Sequence, residues 1–126
     1  MTGPVALKDV RPGHYVMVDD EPCKVLSMTK SKPGKHGSAK ARVEVVGLFD
    51  NRKRVIMKPA SATVMVPMIE KKKAQVISTS GDIAQLMDME DYSTFEAKIQ
   101  EAMKGKVQPG NEISYWKVGD RILLRE

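Results

Sequence analysis

Turn-forming residues recur so closely in the first half of this chain that no long helix fits between them. Such residues cluster at positions 11–13, 19–22, 31–40 and 50–51. The segments between these clusters are short and rich in Val and Met, a composition typical of β-strands. About five short strands are therefore predicted before residue 69. Closure into a small barrel, of SH3-like type, would remove their exposed edges.

Composition changes at residues 67–73, where the chain reads PMIEKKK. We predict a domain boundary near Ile69, which gives a first domain over residues 1–69 and a second over residues 70–126. In the second domain five further strands are expected, with a short helix near residues 98–103, and this is the outline of an OB-fold. The predicted fold class is all-β, with two small barrels.

The stretch SKPGKHGSAK, residues 31–40, lies between two of the predicted strands. Pro33, Gly34 and Gly37 exclude both helix and regular strand, so the stretch is predicted to be a hairpin loop with Lys35 near its tip. Five cations and no acid fall between residues 30 and 42. Such a dense cationic loop favours exposure and a negatively charged partner. Taken alone, it also fits a solvated lysine-rich turn.

The distribution of charge supports a phosphate-bearing partner for the first domain. Residues 1–69 carry 12 Lys or Arg against 6 Asp or Glu, whereas residues 70–126 carry 9 against 10. Excess positive charge of this kind is typical of nucleic-acid binding, although it also serves solubility. The single Cys23 excludes an internal disulfide, and no signal peptide or membrane segment is recognisable. We expect a soluble, cytoplasmic protein that does not bind membranes.

Motifs of catalysis and metal binding do not fit this chain. The GKHG tetrad at residues 34–37 lacks the Ser or Thr and the following helix of a P-loop, and the helices around a KH-domain loop. His14, His36 and Cys23 are too scattered for zinc. The Asp88, Glu90 and Asp91 spacing matches no calcium loop. We therefore expect no catalytic residues, no metal and no enzyme activity.

Two further groups are candidates for contacts with RNA. Arg52, Lys53 and Arg54 adjoin a turn and either touch RNA or form a solvated strand end. Tyr115 and Trp116 offer rings on which bases can stack, as in other OB-folds. Because neighbouring residues of a strand point to opposite faces, one of these two rings is expected in the core and the other is left open.

The segment TKSKPGKHGSAKAR resembles the modification loop of the translation initiation factor 5A family, whose bacterial relative is elongation factor P. The resemblance rests on Lys32, Gly34, Lys35, His36, Gly37, Ala39 and Lys40. Further similarity at residues 11–13, 21–23, 64–67 and 86–90 extends it over essentially the whole chain. Pro33 stands where many relatives have threonine. The lack of a third domain and of an acidic N-terminal extension favours the archaeal form.

This resemblance implies that deoxyhypusine synthase converts Lys35 to deoxyhypusine or hypusine, with an aminobutyl group from spermidine and no bound cofactor. The implied partners are the ribosome, ribosomal RNA and peptidyl-tRNA, and the arm would promote peptide bonds at consecutive prolines. Lys32, Lys40 and Arg42 would contact sugar-phosphate, and Gly34 and Gly37 would leave Lys35 accessible. His36 would either contact RNA or order the loop. The alternative is an unmodified RNA-binding module of ribosomal-protein type.

Overall fold

The computed structural model describes residues 3–31 and 39–126, whose regular structure is almost entirely β. The chain divides into two compact units, Met1–Met68 and Ile69–Glu126, called here the first and the second unit. This division falls inside the PMIEKKK segment, beside the predicted boundary. Lys32, Gly34, Lys35, His36 and Gly37 lie outside the described residues.

The described part of the first unit contains six strands and a 3-10 turn at Leu7–Asp9. The strands are β1 (Gly3–Ala6), β2 (Tyr15–Val18), β3 (Glu21–Ser31), β4 (Lys40–Gly47), β5 (Lys53–Pro59) and β6 (Thr63–Val66). Strands β2 to β5 form an antiparallel sheet in chain order, and β1 pairs with β6. Strand β1 was missed in the sequence because its four residues form a strand only by pairing with distant β6.

Strand β4 shows why these segments form strands around a core. Ala41, Val43 and Val45 are completely buried, while Lys40 and Arg42, which alternate with them, are exposed. This period of two gives the strand one apolar and one polar face. The apolar face contributes to the core of the first unit, whose other fully or nearly buried members are Leu7, Val10, Val16, Cys23, Val25 and Ala60.

The turn between β2 and β3 is tighter than the predicted span of residues 19–22. Asp19 and Asp20 have φ angles of 51° and 64°, the left-handed region that a two-residue hairpin turn of type I′ requires. Glu21 and Pro22 therefore already belong to β3, where they pair with Val18 and Met17. Short polar side chains such as Asp tolerate this backbone conformation better than other non-glycine residues do.

The second unit has five strands and a 3-10 turn at Glu101–Met103, inside the predicted helical segment. The strands are β7 (Glu70–Ser80), β8 (Ile83–Asp88), β9 (Thr94–Lys98), β10 (Glu112–Val118) and β11 (Arg121–Arg125). Their order is β11-β10-β7-β8-β9, with every pair antiparallel, and β9 also contacts β11. This layout agrees with the predicted OB-fold. Strand β9 begins at Thr94, after a turn in which Tyr92 has a φ of 62°.

Candidate functional site

The segment that contains Lys35 is bracketed by two paired strands. Strand β3 ends at Ser31 directly opposite Lys40, the first residue of β4. The next pairs along the ladder are Lys30 with Ala41 and Thr29 with Arg42. The predicted antiparallel strands on the two sides of the segment are thus confirmed, while Lys35 itself lies outside the described residues.

Cations emerge on both faces of the sheet at this end. Residues directly opposite each other in an antiparallel pair have their side chains on the same face. Lys30 and Lys58 both pair with buried Ala41, so they lie on its face of the sheet, and both are exposed. Lys40 and Arg42 lie on the opposite face. Polyanion contacts are therefore available on either side of the sheet end.

Lys58 is a candidate site residue that the sequence did not indicate. It is distant from the basic loop in the chain, and only the pairing of β5 with β4 places it beside the loop's base. Lys8 is tied to the same region, since its N–H donates to the Ala60 carbonyl at 3.0 Å and the Ala60 N–H donates to the Ala39 carbonyl at 2.9 Å. The cations of the segment RKRVIMKP were the only available signal.

Arg42, a predicted phosphate contact, already has a carboxylate partner. Its Nη1 lies 2.5 Å from Oε1 of Glu44, and the Ser27 hydroxyl donates to Oε2 of the same carboxylate at 3.3 Å. These hydrogen bonds, that from Arg42 above all, hold the pKa of Glu44 below its usual range. Both side chains of the ion pair are more than two-fifths exposed, so solvent screens it strongly.

The three predicted RNA contacts, Arg52, Lys53 and Arg54, have different surroundings in the structure. Arg52 and Lys53 are exposed, but Arg54 makes a two-point contact with Asp50 in which its Nη2 lies 2.6 Å from Oδ2. Hydrogen bonds from Arg54 and from the Arg52 N–H lower the pKa of Asp50 to about 2. A Cβ atom at Gly47 would lie 2.0 Å from Oδ1 of Asp50, so glycine leaves the space for this contact.

We expect Arg54→Ala to reduce stability rather than RNA binding. It would release the Asp50 carboxylate and lower the midpoint of thermal unfolding by on the order of 3 °C. Arg52→Ala, the matched control, should leave the midpoint unchanged and weaken RNA binding if residues 52–54 contact RNA. Calorimetry and an RNA filter-binding assay separate the two effects. An Arg54→Ala variant with unchanged stability and weaker binding would contradict this assignment.

Asp88 belongs to a structural hydrogen-bond network. Its carboxylate is 1 % exposed and accepts hydrogen bonds from the N–H groups of Glu90 at 2.8 Å and Asp91 at 3.1 Å, and from the Tyr115 hydroxyl. These donors, first of all Tyr115, lower the pKa of Asp88 to about 2. Burial and the neighbouring carboxylate raise the pKa of Tyr115. The three acidic residues at positions 88–91 therefore build a turn.

The two candidate stacking rings lie on opposite faces of β10. Tyr115 is in the core, with its ring centroid 4.8 Å from that of Phe95, and Trp116 is half-buried on the other face. The expectation that one ring of the pair faces the core is confirmed.

Cys23 is buried, and this burial raises the pKa of its thiol.

The described residues contain neither a cluster suited to a metal ion nor a membrane-spanning helix. No group of three His, Cys, Asp or Glu side chains in residues 3–31 and 39–126 is arranged to hold a metal ion. Over the same ranges, no helix has the length and apolar character that crossing a membrane requires.

Comparison with known sequences gives a consistent result. Residues 1–62 match the family model "Translation initiation factor 5A-like, N-terminal". A translation initiation factor 5A of Methanosarcina acetivorans is 56% identical over 120 residues, which are 95% of this chain and 94% of that protein. A translation initiation factor 5A of Archaeoglobus fulgidus is 50% identical over 122 residues, with 96% and 95% coverage.

Solved structures agree. A structure described as eukaryotic translation initiation factor 5A from Methanococcus jannaschii superposes with a TM-score of 0.88 and 38% identity, over 99% of this chain and 93% of that chain. A family protein from Naegleria fowleri gives 0.78 and 28% identity, over 99% and 96%. The predicted fold class, an N-terminal SH3-like barrel and a C-terminal OB-fold, is confirmed.

Proposed function

Because this chain belongs to the translation initiation factor 5A family, and is therefore a translation factor, we propose that it acts on cytoplasmic ribosomes through a modified Lys35. Deoxyhypusine synthase would transfer an aminobutyl group from spermidine to the Lys35 amine, giving deoxyhypusine or hypusine. The family is one of translation factors rather than a class of enzymes. The long cationic arm would then reach the acceptor end of peptidyl-tRNA and speed peptide bonds at consecutive prolines.

The observation that carries this proposal is the paired end of β3 and β4. Ser31 and Lys40 are directly opposite each other, so the segment between them leaves and re-enters the sheet at the same end of two neighbouring strands. Exposed Lys30 and Lys58 on one face, and Lys40 on the other, place positive charge around that end of the sheet. A sheet end of this kind supports an arm whose base is held by RNA phosphates.

The modification proposed for Lys35 requires no catalytic base from this protein itself. An ordinary lysine, with a pKa near 10.4, is protonated and not nucleophilic until an enzyme pocket desolvates it. The synthase would supply that pocket. On the ribosome the arm would orient a reactant without taking part in bond making, which lowers the barrier by reducing the entropy lost on reaching the transition state.

Intact mass with peptide mapping, on protein purified from its native host, tests the proposal. An added aminobutyl group on Lys35 is expected, and one further oxygen would identify hypusine. Unmodified Lys35 in native material would instead favour the RNA-binding module without an arm. Protein made in a bacterium that lacks the synthase is the matched control, and its peptide containing Lys35 should have the unmodified mass.

Lys58→Ala is expected to weaken binding of an RNA that carries a tRNA acceptor stem. If Lys58 contacts one phosphate, the slope of log affinity against log salt should become shallower by about 0.7 to 0.9. Lys24→Ala is the matched control. Lys24 is an exposed cation near the start of β3, where it pairs with Tyr15 and Val46, and its removal should leave the slope unchanged. Equal slopes for parent and Lys58→Ala would remove Lys58 from the site.

A further inference from the structure

Trp116 lies on the face of β10 away from the core of the second unit, and two cations contact its ring. Trp116, the one tryptophan of the chain, pairs with Lys71 of β7 on one side and with Leu123 of β11 on the other. The Lys71 Nζ lies 4.7 Å from the centroid of the Trp116 ring, and the Arg125 Cζ lies 4.1 Å from it. Lys71, Lys73, Trp116 and Arg125 are called here the Trp116 patch.

The pairing of the strands holds Arg125 in place. Arg125 pairs with Ser114, two residues before Trp116 in β10, and therefore approaches the ring diagonally. Arginine stacks well on indole because its guanidinium is flat and weakly hydrated. The exposed Arg125 is thus pre-organised, since the tryptophan limits the positions that its long side chain samples.

The patch is strongly cationic although the second unit as a whole is not. Lys71 and Arg125 are brought to one ring, and among the described residues neither has a carboxylate oxygen within 4.0 Å. Lys73 follows on the same face of β7, 68% exposed, with its Nζ 3.6 Å from Oε1 of Glu112. Like charges held together in this way repel each other, and a bound anion would relieve that repulsion.

We propose that the Trp116 patch binds single-stranded RNA, with one base stacked on the outer plane of the Arg125 guanidinium and the flanking phosphates on Lys71 and Lys73. Unpaired bases stack on guanidinium planes as well as on aromatic rings. An acidic peptide would use the charges but not the plane. The combination of a planar cation held on the ring with two neighbouring ammonium groups therefore favours RNA.

This site is distinct from the other candidates. OB-folds usually bind oligonucleotides over their second and third strands, which are β8 and β9 here. The Trp116 patch lies instead on β7, β10 and β11. It also does not involve Lys35, so it goes beyond the proposed function and can fail independently of it.

Trp116 itself supplies the measurement, because the fluorescence of a protein with one tryptophan reports on that residue's surroundings. The full-length chain, with Lys35 unmodified, is titrated with a short oligouridylate, with an abasic ribose-phosphate strand of equal length and with polyglutamate. We expect oligouridylate to change the Trp116 emission and to bind at least about fivefold more tightly than the abasic strand. Labelled oligouridylate gives the affinity by anisotropy.

Variants separate stacking from charge. Arg125→Lys keeps the charge and removes the plane, so it should weaken oligouridylate binding about fivefold, with the salt slope and the abasic affinity unchanged. Lys73→Ala should weaken both strands and reduce the slope by about 0.7. Lys104→Ala, an exposed cation beside the 3-10 turn of the same unit, is the matched control and should alter neither.

Three results would overturn the proposal. The first is abasic binding as tight as oligouridylate binding, which would make the patch a plain polyanion site. The second is polyglutamate binding as tight as oligouridylate binding, which would point to an acidic protein partner. The third is an Arg125→Lys variant, with an unchanged unfolding midpoint, that binds oligouridylate like the parent. The basic loop is the same in all variants, and the Trp116 emission reports on the patch rather than on that loop.

Discussion

Lys35→Arg is expected to abolish the stimulation of polyproline synthesis by the native factor, a loss of at least about tenfold if the arm acts by orientation. Arginine keeps the positive charge at position 35. It removes the primary amine that the synthase alkylates, because a guanidinium is delocalised and stays protonated. The measurement is the rate of formation of a peptide with consecutive prolines in a reconstituted translation system, with factor purified from a host that contains the synthase.

Lys30→Arg is the matched control for this substitution. Lys30 is exposed at the base of the same segment, and its charge rather than its amine is what the proposal uses. This variant should retain nearly the full rate. If Lys35→Arg were as active as the parent, the modified arm would not be the mechanism, and the unmodified RNA-binding module would be the better account of the chain.

Asp88→Ala is expected to lower the free energy of unfolding of the second unit by on the order of 3 kcal/mol. Among the described residues Asp88 is the one buried charged group, and three hydrogen bonds end on its carboxylate. Alanine would leave the Tyr115 hydroxyl without this acceptor and would release two N–H groups of the turn. Urea unfolding followed by the fluorescence of Trp116 reports on this unit.

Two milder variants identify the cause. Tyr115→Phe keeps the ring beside Phe95 and removes only the hydroxyl, so a loss of about 2 kcal/mol is expected. Asp88→Asn keeps an acceptor for the turn and should cost less than alanine. An Asp88→Ala variant as stable as the parent would show that the turn and the hydroxyl find other partners.

The lowered pKa of the Asp88 carboxylate also predicts that the protein loses stability at low pH. The pKa of Asp88 is lowered to about 2 in the folded protein from a usual value of 3.8, so the unfolded chain binds its proton first. Its contribution to stability is complete well above pH 3.8 and is lost as the pH falls from 3.8 towards 2. Asp88→Asn should flatten the fall of the urea midpoint in this window. An equally steep fall in the variant would exclude Asp88 as a cause.

Local patterns in the sequence were sufficient for much of this description. The alternation of Ala41, Val43 and Val45 with charged residues predicted β4 from its own residues, and the turn residues predicted the hairpin around Lys35. The extent of the Asp19–Asp20 turn was predicted less well. Its limits depend on left-handed φ angles that Asp adopts only when the flanking strands pair.

By itself, the sequence determined the all-β class, the composition change beside Ile69, the basic segment with Lys35 and the family. These properties depend on residues that are close together in the sequence, because strand period, turn chemistry and charge density act over a few positions. Only the tertiary structure decided that Lys58 joins the base of the loop, that Asp50 engages Arg54, that Tyr115 meets Asp88 and that Lys71 and Arg125 share Trp116. Each of these contacts depends on strand register or turn geometry, and a shift of one residue would send every side chain of a strand to the other face of its sheet.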